Sequence, residues 1–369
     1  MEKKHKKRVG LIFGGRSGEH EVSLASARAV MANLNPETYE IVPLGITREG
    51  SWLPGTEPHQ FIATRQQALS ETTIATLADD PAVRRLMPIQ AGSDPDGQDT
   101  LDVIFPVLHG TYGEDGSLQG LLDMANIPYV GCGVLGAALG MDKEKMKMLF
   151  QAVGLPIVAY LVFRRTEWER SPATVMQTLE QHLSYPIFVK PVNLGSSVGI
   201  SKVHNRDELE RAIALAAEYD RKIVAEQGIA CREFECAVLG NDEPLASVVG
   251  EIVSSNEFYD YRAKYIDGKS RAIIPADIPQ EVAEEIRLLS LKAFVALDLN
   301  GLARVDFFLQ QETGKVYINE VNTMPGFTEI SMYPKLWEAS GLTYPQLLDR
   351  LIELAIERHE DRQRNRTSM

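Results

Sequence analysis

The sequence predicts a mixed α/β chain of two or three domains, opening on a parallel-sheet α/β unit. Two observations carry this. A length of 369 residues exceeds what one ordinary core encloses. Up to about residue 140, short apolar runs alternate with segments of helical spacing, the pattern of strands buried on both faces of a parallel sheet.

The elements follow in order. Val9–Phe13 is a β-rich run that ends in Gly14-Gly15, and Ser23–Leu34 has helical spacing with Ser23 as its expected cap. Ile41–Ile46 reads as a second strand. Residues 55–100 mix helical and polar segments and close on the turn cluster Gly92 to Gly97. Leu101–Leu108 is a continuous apolar run and hence a buried strand. Met141–Ala152 is helical and stops before Gly154-Leu-Pro156. A strand at Ile187–Lys190, a Gly/Ser loop and a helix at Arg206–Tyr219 form a central unit. Strands near 245–253, 301–309 and 315–321 belong to a third, with helices Gln280–Leu297 and Tyr344–His359. The expected division is 1–140, 141–236 and 237–369.

Composition narrows the function. The formal charge is −13, so a general nucleic-acid surface is not expected, since phosphate neutralisation needs a basic excess. The basic opening residues lead into only a short strand-like run, neither a signal peptide nor a membrane span. Cys132, Cys231 and Cys236 cannot all pair within one chain and match no zinc spacing, which suits a reducing cytoplasm.

Four motifs and one long polar-aromatic stretch carry chemistry. Arg304-Val-Asp306 lies on one expected strand, and Glu320-Val-Asn322 ends another. Residues two apart share a strand face, so a hairpin would gather Asp306, Glu320 and Asn322 as hard oxygen donors suited to magnesium and a triphosphate. A surface ion-pair ladder with Arg304 is the bland alternative. Phe188-Val-Lys190 delivers a lysine to a loop containing Gly195, Ser196, Ser197 and Gly199, where small residues let backbone N–H groups approach phosphate. His109-Gly-Thr-Tyr-Gly-Glu114-Asp115-Gly116 follows a buried strand, where open α/β sheets bind ligands; His109 can meet a substrate carboxylate, while Glu114 and Asp115 can cap the next helix. Gly14-Gly-Arg-Ser-Gly-Glu19 occupies a similar strand end, with an acid for a substrate ammonium or a capping turn. A polar-aromatic stretch, Glu251–Asp277, reads as a lid carrying Phe258, Lys264 and Tyr265.

Two other patterns carry less. Gly131-Cys-Gly133-Val-Leu-Gly136 matches a dinucleotide fingerprint but lies far from the first βα unit and lacks the following acidic residue, so a tight crossover is the better reading. Gly268-Lys269-Ser270 lacks the upstream glycine and strand of a phosphate-binding loop.

Taken together, the motifs resemble the D-alanine–D-alanine ligase family of the ATP-grasp superfamily over nearly the whole chain, most specifically at His109–Gly116 and Gly301–Gly326. The resemblance implies a three-domain ATP-grasp fold with ATP between the central and C-terminal domains. It implies that Lys143, Lys190 and Ser197 hold phosphates, that Glu226, Gln227, Ile229 and Phe258 surround the adenine, and that Glu233 binds ribose. Lys264 would reach the transferred phosphate. Asp306, Glu320 and Asn322 would coordinate two magnesium or manganese ions. Glu19, supported by Ser196 and Tyr265, would orient the first D-alanine; Arg304 and the Gly326 N–H would face the oxyanion; Ser331 would bind the second carboxylate. The implied product, D-alanyl-D-alanine, serves peptidoglycan synthesis, and a cytoplasmic homodimer without nucleic-acid or membrane partners is expected. Tyr265 favours the dipeptide, since members making D-alanyl-D-lactate tend to have phenylalanine there. The rivals are another ATP-grasp carboxylate–amine ligase, the depsipeptide enzyme and a nucleotide-binding module without turnover.

Overall fold

The computed structural model describes residues 6–55, 58, 75–77, 86–88, 100–195, 198–253 and 271–366. Strands β1 (Lys7–Gly14) and β2 (Tyr39–Ile46) run parallel, and β3 (Trp52–Pro54) adds an antiparallel edge. Strands β4 (Ala75–Leu77) and β5 (Leu86–Pro88) form a separate antiparallel ribbon within the stretch expected to be helical and polar. Strand β6 (Val103–Pro106) completes the first sheet in the order β3-β2-β1-β6. Its neighbours explain the unbroken apolar runs. Leu11, Phe13 and Phe105 pack to one side of the sheet, Ile12, Leu44 and Ile104 to the other, so successive residues are buried alternately above and below.

Helix α1 (His20–Asn33) begins three residues before the expected cap. Ser23 is inside it, buried, and its hydroxyl accepts the Gly14 N–H at 2.8 Å and donates to the Val107 carbonyl at 2.5 Å. It ties the ends of β1 and β6 instead of capping the helix, because those strand-end groups are buried and need partners. Helices α2 (Ser117–Met124), α3 (Val134–Met141) and α4 (Lys143–Ala152) lead out of this sheet.

The central sheet is antiparallel, ordered β7-β10-β8-β9, from β7 (Tyr160–Arg164), β8 (Ile187–Pro191), β9 (Ser201–Val203) and β10 (Lys222–Gln227). Helices α5 (Arg165–Arg170), α6 (Pro172–His182) and α7 (Arg206–Tyr219) accompany it, α6 and α7 closing its core through Leu179, Leu209 and Ile213.

The third sheet is β13-β12-β11-β14-β15, all antiparallel: β11 (Cys231–Gly240), β12 (Leu245–Val253), β13 (Arg271–Ile273), β14 (Gly301–Gln310) and β15 (Val316–Asn322). Strand β11 runs through the expected boundary at 236/237 and belongs wholly to this sheet. Helix α4 also packs here, Met146 and Phe150 against Phe234 and Phe294, the last from α8 (Gln280–Ala296). The expected division at 141–236 puts this helix with the central unit; its apolar face packs on the third sheet. Helices α9 (Met332–Ala339) and α10 (Tyr344–Gln363) fill the space between the third and first sheets, where Leu347, Leu348 and Leu351 meet Phe13 and Phe105 in one continuous core. Among the described residues no helix is long and apolar enough to cross a membrane.

Candidate active site

On β14 the side chains alternate. Ala303, Val305 and Phe307 are buried in the core beneath the sheet, while Arg304, Asp306 and Phe308 face the opposite side. In the ladder Asp306 stands across from Glu320 on β15 and from Glu235 on β11, and Arg304 across from Asn322. The three expected oxygen donors therefore share one face. Arg304 grips Asp306 with two bonds, at 2.6 and 2.7 Å, and Asn322 donates to Asp306 at 3.0 Å. Glu235 lies 3.1 Å from the same guanidinium, and Glu320 lies 3.5 Å from Lys143. Glu235 was not anticipated; the alternation Glu233-Phe-Glu235-Cys, charged then apolar, is the signal that marks it.

These donors suit a hard divalent cation by chemical type. Among the described residues no three His, Cys, Asp or Glu side chains gather around one point. The expected set is two carboxylates and a carboxamide, and here the chain's own Arg304 and Lys143 hold the carboxylates, so a metal would exchange with them.

A cavity of about 410 Å³ lies between the central and third sheets. Lys190, Glu226, Gln227, Ile229, Glu233, Asp306 and Glu320 line it. Glu226 is buried between two lysines, with Lys190 at 2.8 Å and Lys147 at 3.0 Å. Burial alone would raise its carboxyl, but the two ammonium groups outweigh that and bring it down to about 2. Burial lowers Lys147, against the pull of Glu226; for Lys190 burial opposes but the attraction of Glu226 and Glu320 prevails, and it is raised. Lys147 was also not anticipated. It stands one helical turn beyond Lys143 on α4, and that i, i+4 spacing puts both on one face. The Gln227 carboxamide is committed to Ser184 and the Gly228 carbonyl at 2.8–2.9 Å, and its backbone N–H goes to the Ala159 carbonyl at 2.8 Å.

A second cavity, about 120 Å³, adjoins the first through Glu235 and Glu320, which line both. Glu19, His109, Lys143, Arg304, Gly326 and Ser331 border it. The Lys143 ammonium donates to the Leu194 carbonyl at 2.9 Å, tying α4 to the glycine-rich loop. Glu19 reaches that loop too: a β-carbon on Gly195 would stand 2.9 Å from its carboxylate. A β-carbon on Gly326 would lie 2.8 Å from the Ser331 hydroxyl, which also accepts the Thr328 N–H at 3.0 Å.

His109 departs from expectation. It reaches the cavity wall but is only 3% exposed, and both ring nitrogens are engaged, Nδ1 with the Met324 carbonyl at 2.9 Å and Nε2 with Ser26 at 3.0 Å. Burial lowers its pKa, so the ring is neutral; a substrate carboxylate would find no donor left on it. Asp115 accepts the Ser117 N–H at the start of α2, as expected of a capping acid. Glu114 does not: its carboxylate takes the N–H groups of Gly110 at 2.6 Å and Met324 at 3.0 Å. Burial and the nearby charge of Glu19 push its pKa up to about 8. Gly131 packs against Gly301 and Met324, and Gly136 against the Asp298 carbonyl, so the dinucleotide-like pattern is a close-packed crossover. Ser196, Ser197, Phe258, Lys264 and Tyr265 lie outside the described residues.

The chain is similar to known proteins along its length. Residues 8–132 match the family described as D-ala D-ala ligase N-terminus, and residues 149–353 the one described as D-ala D-ala ligase C-terminus. A D-alanine–D-alanine ligase of Acetivibrio thermocellus is 51% identical, over 96% of this chain and 97% of the relative. Among solved structures, a D-alanine-D-alanine ligase from Coxiella burnetii superposes with a TM-score of 0.83 at 36% identity, over 98% of this chain and 97% of the other. The VanG D-Ala:D-Ser ligase from Enterococcus faecalis also reaches 0.83, at 38% identity over 95% and 100%.

Proposed function

The chain belongs to the D-alanine–D-alanine ligase family, and from that premise we propose that it joins two D-alanines through a D-alanyl phosphate, using ATP. The observation that carries this reading is the junction of the two cavities. A lysine-bordered cleft and an amino-acid-sized pocket meet at a row of carboxylates and one arginine.

A carboxylate resists attack because its charge repels an amine and oxide is a poor leaving group. Transfer of the terminal phosphate of ATP to the first D-alanine removes both obstacles. Lys143 and Lys190 hold phosphates, with Lys264 reaching the transferred group; Glu226, Gln227, Ile229 and Phe258 surround the base and Glu233 the ribose. Asp306, Glu320 and Asn322 would hold magnesium or manganese, which when bound offsets the charge of the triphosphate. Glu19, supported by Ser196 and Tyr265, pairs the first ammonium. The second D-alanine, its carboxylate near Ser331, attacks as a free amine. The resulting oxyanion meets Arg304 and the Gly326 N–H, and phosphate departs. Lys147 and Glu235 join this scheme as residues that hold Glu226 and Arg304 in place. A cytoplasmic homodimer belongs to the same proposal; the three cysteines, none in a disulfide, are compatible with that compartment.

ADP release with D-alanine, L-alanine, D-serine and D-lactate, with mass identification of products, tests the reading. D-alanine alone should support turnover and yield the dipeptide. Turnover that requires D-serine would favour the chemistry named for the Enterococcus faecalis neighbour; no release with any D-amino acid would point to a different carboxylate–amine ligase.

A further inference from the structure

We propose that Ser26, His109 and Glu114 form a positioning clamp, through which the first domain sets the backbone of residues 324–327, and with it the Gly326 N–H, for the ligation step. The proposal rests on the ligase reading above, because Gly326 acquires its importance there.

Residues 323–331 join β15 to α9 without helix or strand, so no ladder fixes their conformation. Distant side chains do so. Both polar groups of the Met324 backbone are taken: its N–H by Glu114 at 3.0 Å and its carbonyl by His109 Nδ1 at 2.9 Å. Three residues on, the Phe327 N–H goes to the Ser26 hydroxyl at 3.2 Å. Gly326 lies between these fixed points.

The proton arrangement closes consistently. A carbonyl can only accept, so Nδ1 of His109 carries the hydrogen. In a neutral ring Nε2 is then an acceptor, and it receives the Ser26 hydroxyl hydrogen at 3.0 Å. That leaves the Ser26 oxygen as acceptor for Phe327. Glu114 has its other oxygen on the Gly110 N–H at 2.6 Å, so one carboxyl group joins the loop after β6 to the loop after β15. Ser26 is fully buried and His109 nearly so. Water cannot substitute for a lost partner without a rearrangement of the loop. His109 and Glu114 reach the wall of the smaller cavity, but the hydrogen bonds that concern the loop run to the Met324–Phe327 backbone, and the three act through it.

The experiment uses the full chain with ATP, magnesium and D-alanine, comparing the parent with Glu114→Gln and Ser26→Ala. Glutamine keeps the size of the side chain but sets an NH2 donor against one of the two N–H groups; alanine removes a single oxygen. Each variant should lower kcat by about ten-fold, a fraction of the loss on deleting an oxyanion donor outright. KM for ATP should stay within about two-fold, since the nucleotide cleft is untouched. Hydroxylamine trapping should show acyl phosphate still forming while dipeptide formation slows. If Glu114→Gln does not fold, Ser26→Ala carries the same readout. Unchanged kcat, or a parallel loss of ATP affinity and acyl-phosphate formation, overturns the clamp. A parent that releases no ADP with D-alanine overturns the ligase reading instead.

Discussion

Two charge clusters line the same cleft and behave differently. Around Glu226, two ammonium groups meet one carboxylate in a dry place: the side chains of Lys147, Glu226 and Lys190 are 1, 3 and 8% exposed. Around Asp306, among the described residues, three carboxylates meet two cations; Asp306, Arg304 and Glu320 are 13–23% exposed, while Glu235 and Lys143 at 9% form its inner edge. The first carries an excess of positive charge and is suited to the anionic tail of a nucleotide. The second carries an excess of negative charge and is suited to a cation. Burial sets what each can exchange. In the dry cluster a group that loses its partner cannot recruit water, whereas at the cleft wall water or a ligand can step in. Similar residue types thus serve a permanent scaffold in one place and a replaceable set of contacts in the other.

The sharpest way to break this contrast is to remove the central acid of the dry cluster. Glu226→Gln leaves Lys147 and Lys190 facing one another and should destabilise the fold by about 3–5 kcal/mol, read from denaturant unfolding at neutral pH. The sign of the pH dependence follows from the depressed carboxyl. Its pKa falls from an ordinary 4.5 to about 2 in the fold, so the stability it contributes is present above 4.5 and is lost as pH falls through about 2. The variant should show a flatter stability curve across that window. A cost below 1 kcal/mol, or an unchanged acid slope, would mean that the cluster is wetter than its burial indicates.

The second test addresses the cleft row. Arg304→Met should reduce kcat for ADP release with D-alanine by about 10²–10³-fold, roughly 2.7–4 kcal/mol of transition-state stabilisation. Its melting temperature should change less than that of Glu226→Gln, because Asp306, the main partner of Arg304, remains accessible to water and magnesium, and only Glu235 is left buried. A stability loss as large as that of Glu226→Gln would put the two clusters in one class.

How far the sequence reaches into this contrast can be followed residue by residue. Arg304-Val-Asp306 shows its cleft face through strand alternation alone, and the hairpin with Glu320 and Asn322 follows from two adjacent strand patterns. The first sheet was legible because parallel strands under helices leave unbroken apolar runs. What escaped was set by tertiary meeting. Lys147 looked like one more charge on a helix, and only the approach of α4 to β10 makes it a partner of Glu226. Glu235 sits on a strand that the expected boundary at 236/237 cuts, whereas the sheets part at residues 228–230, between β10 and β11. His109 was correctly placed at a strand end, but which way its ring turns depends on Met324, more than 200 residues later in the chain. Ser23 had the chemistry of a cap and was recruited by two strand ends instead.

The smallest expected effect supplies the dielectric control for the comparison. On the outer face of α10, Arg350 contacts Glu357 at 2.7 Å and Glu353 at 3.2 Å, with all three side chains about half exposed. Its geometry is as close as that of Lys190 with Glu226, so distance alone would assign it equal weight. Solvent screening and the entropy of two long side chains reduce such a pair to about 0–1 kcal/mol. Arg350→Ala should therefore leave stability within that range, with the remaining effect shrinking further as salt rises. A loss near that of Glu226→Gln would show that contact distance, not burial, governs the ion pairs of this chain, and the division between scaffold and exchangeable contacts would have to be drawn elsewhere.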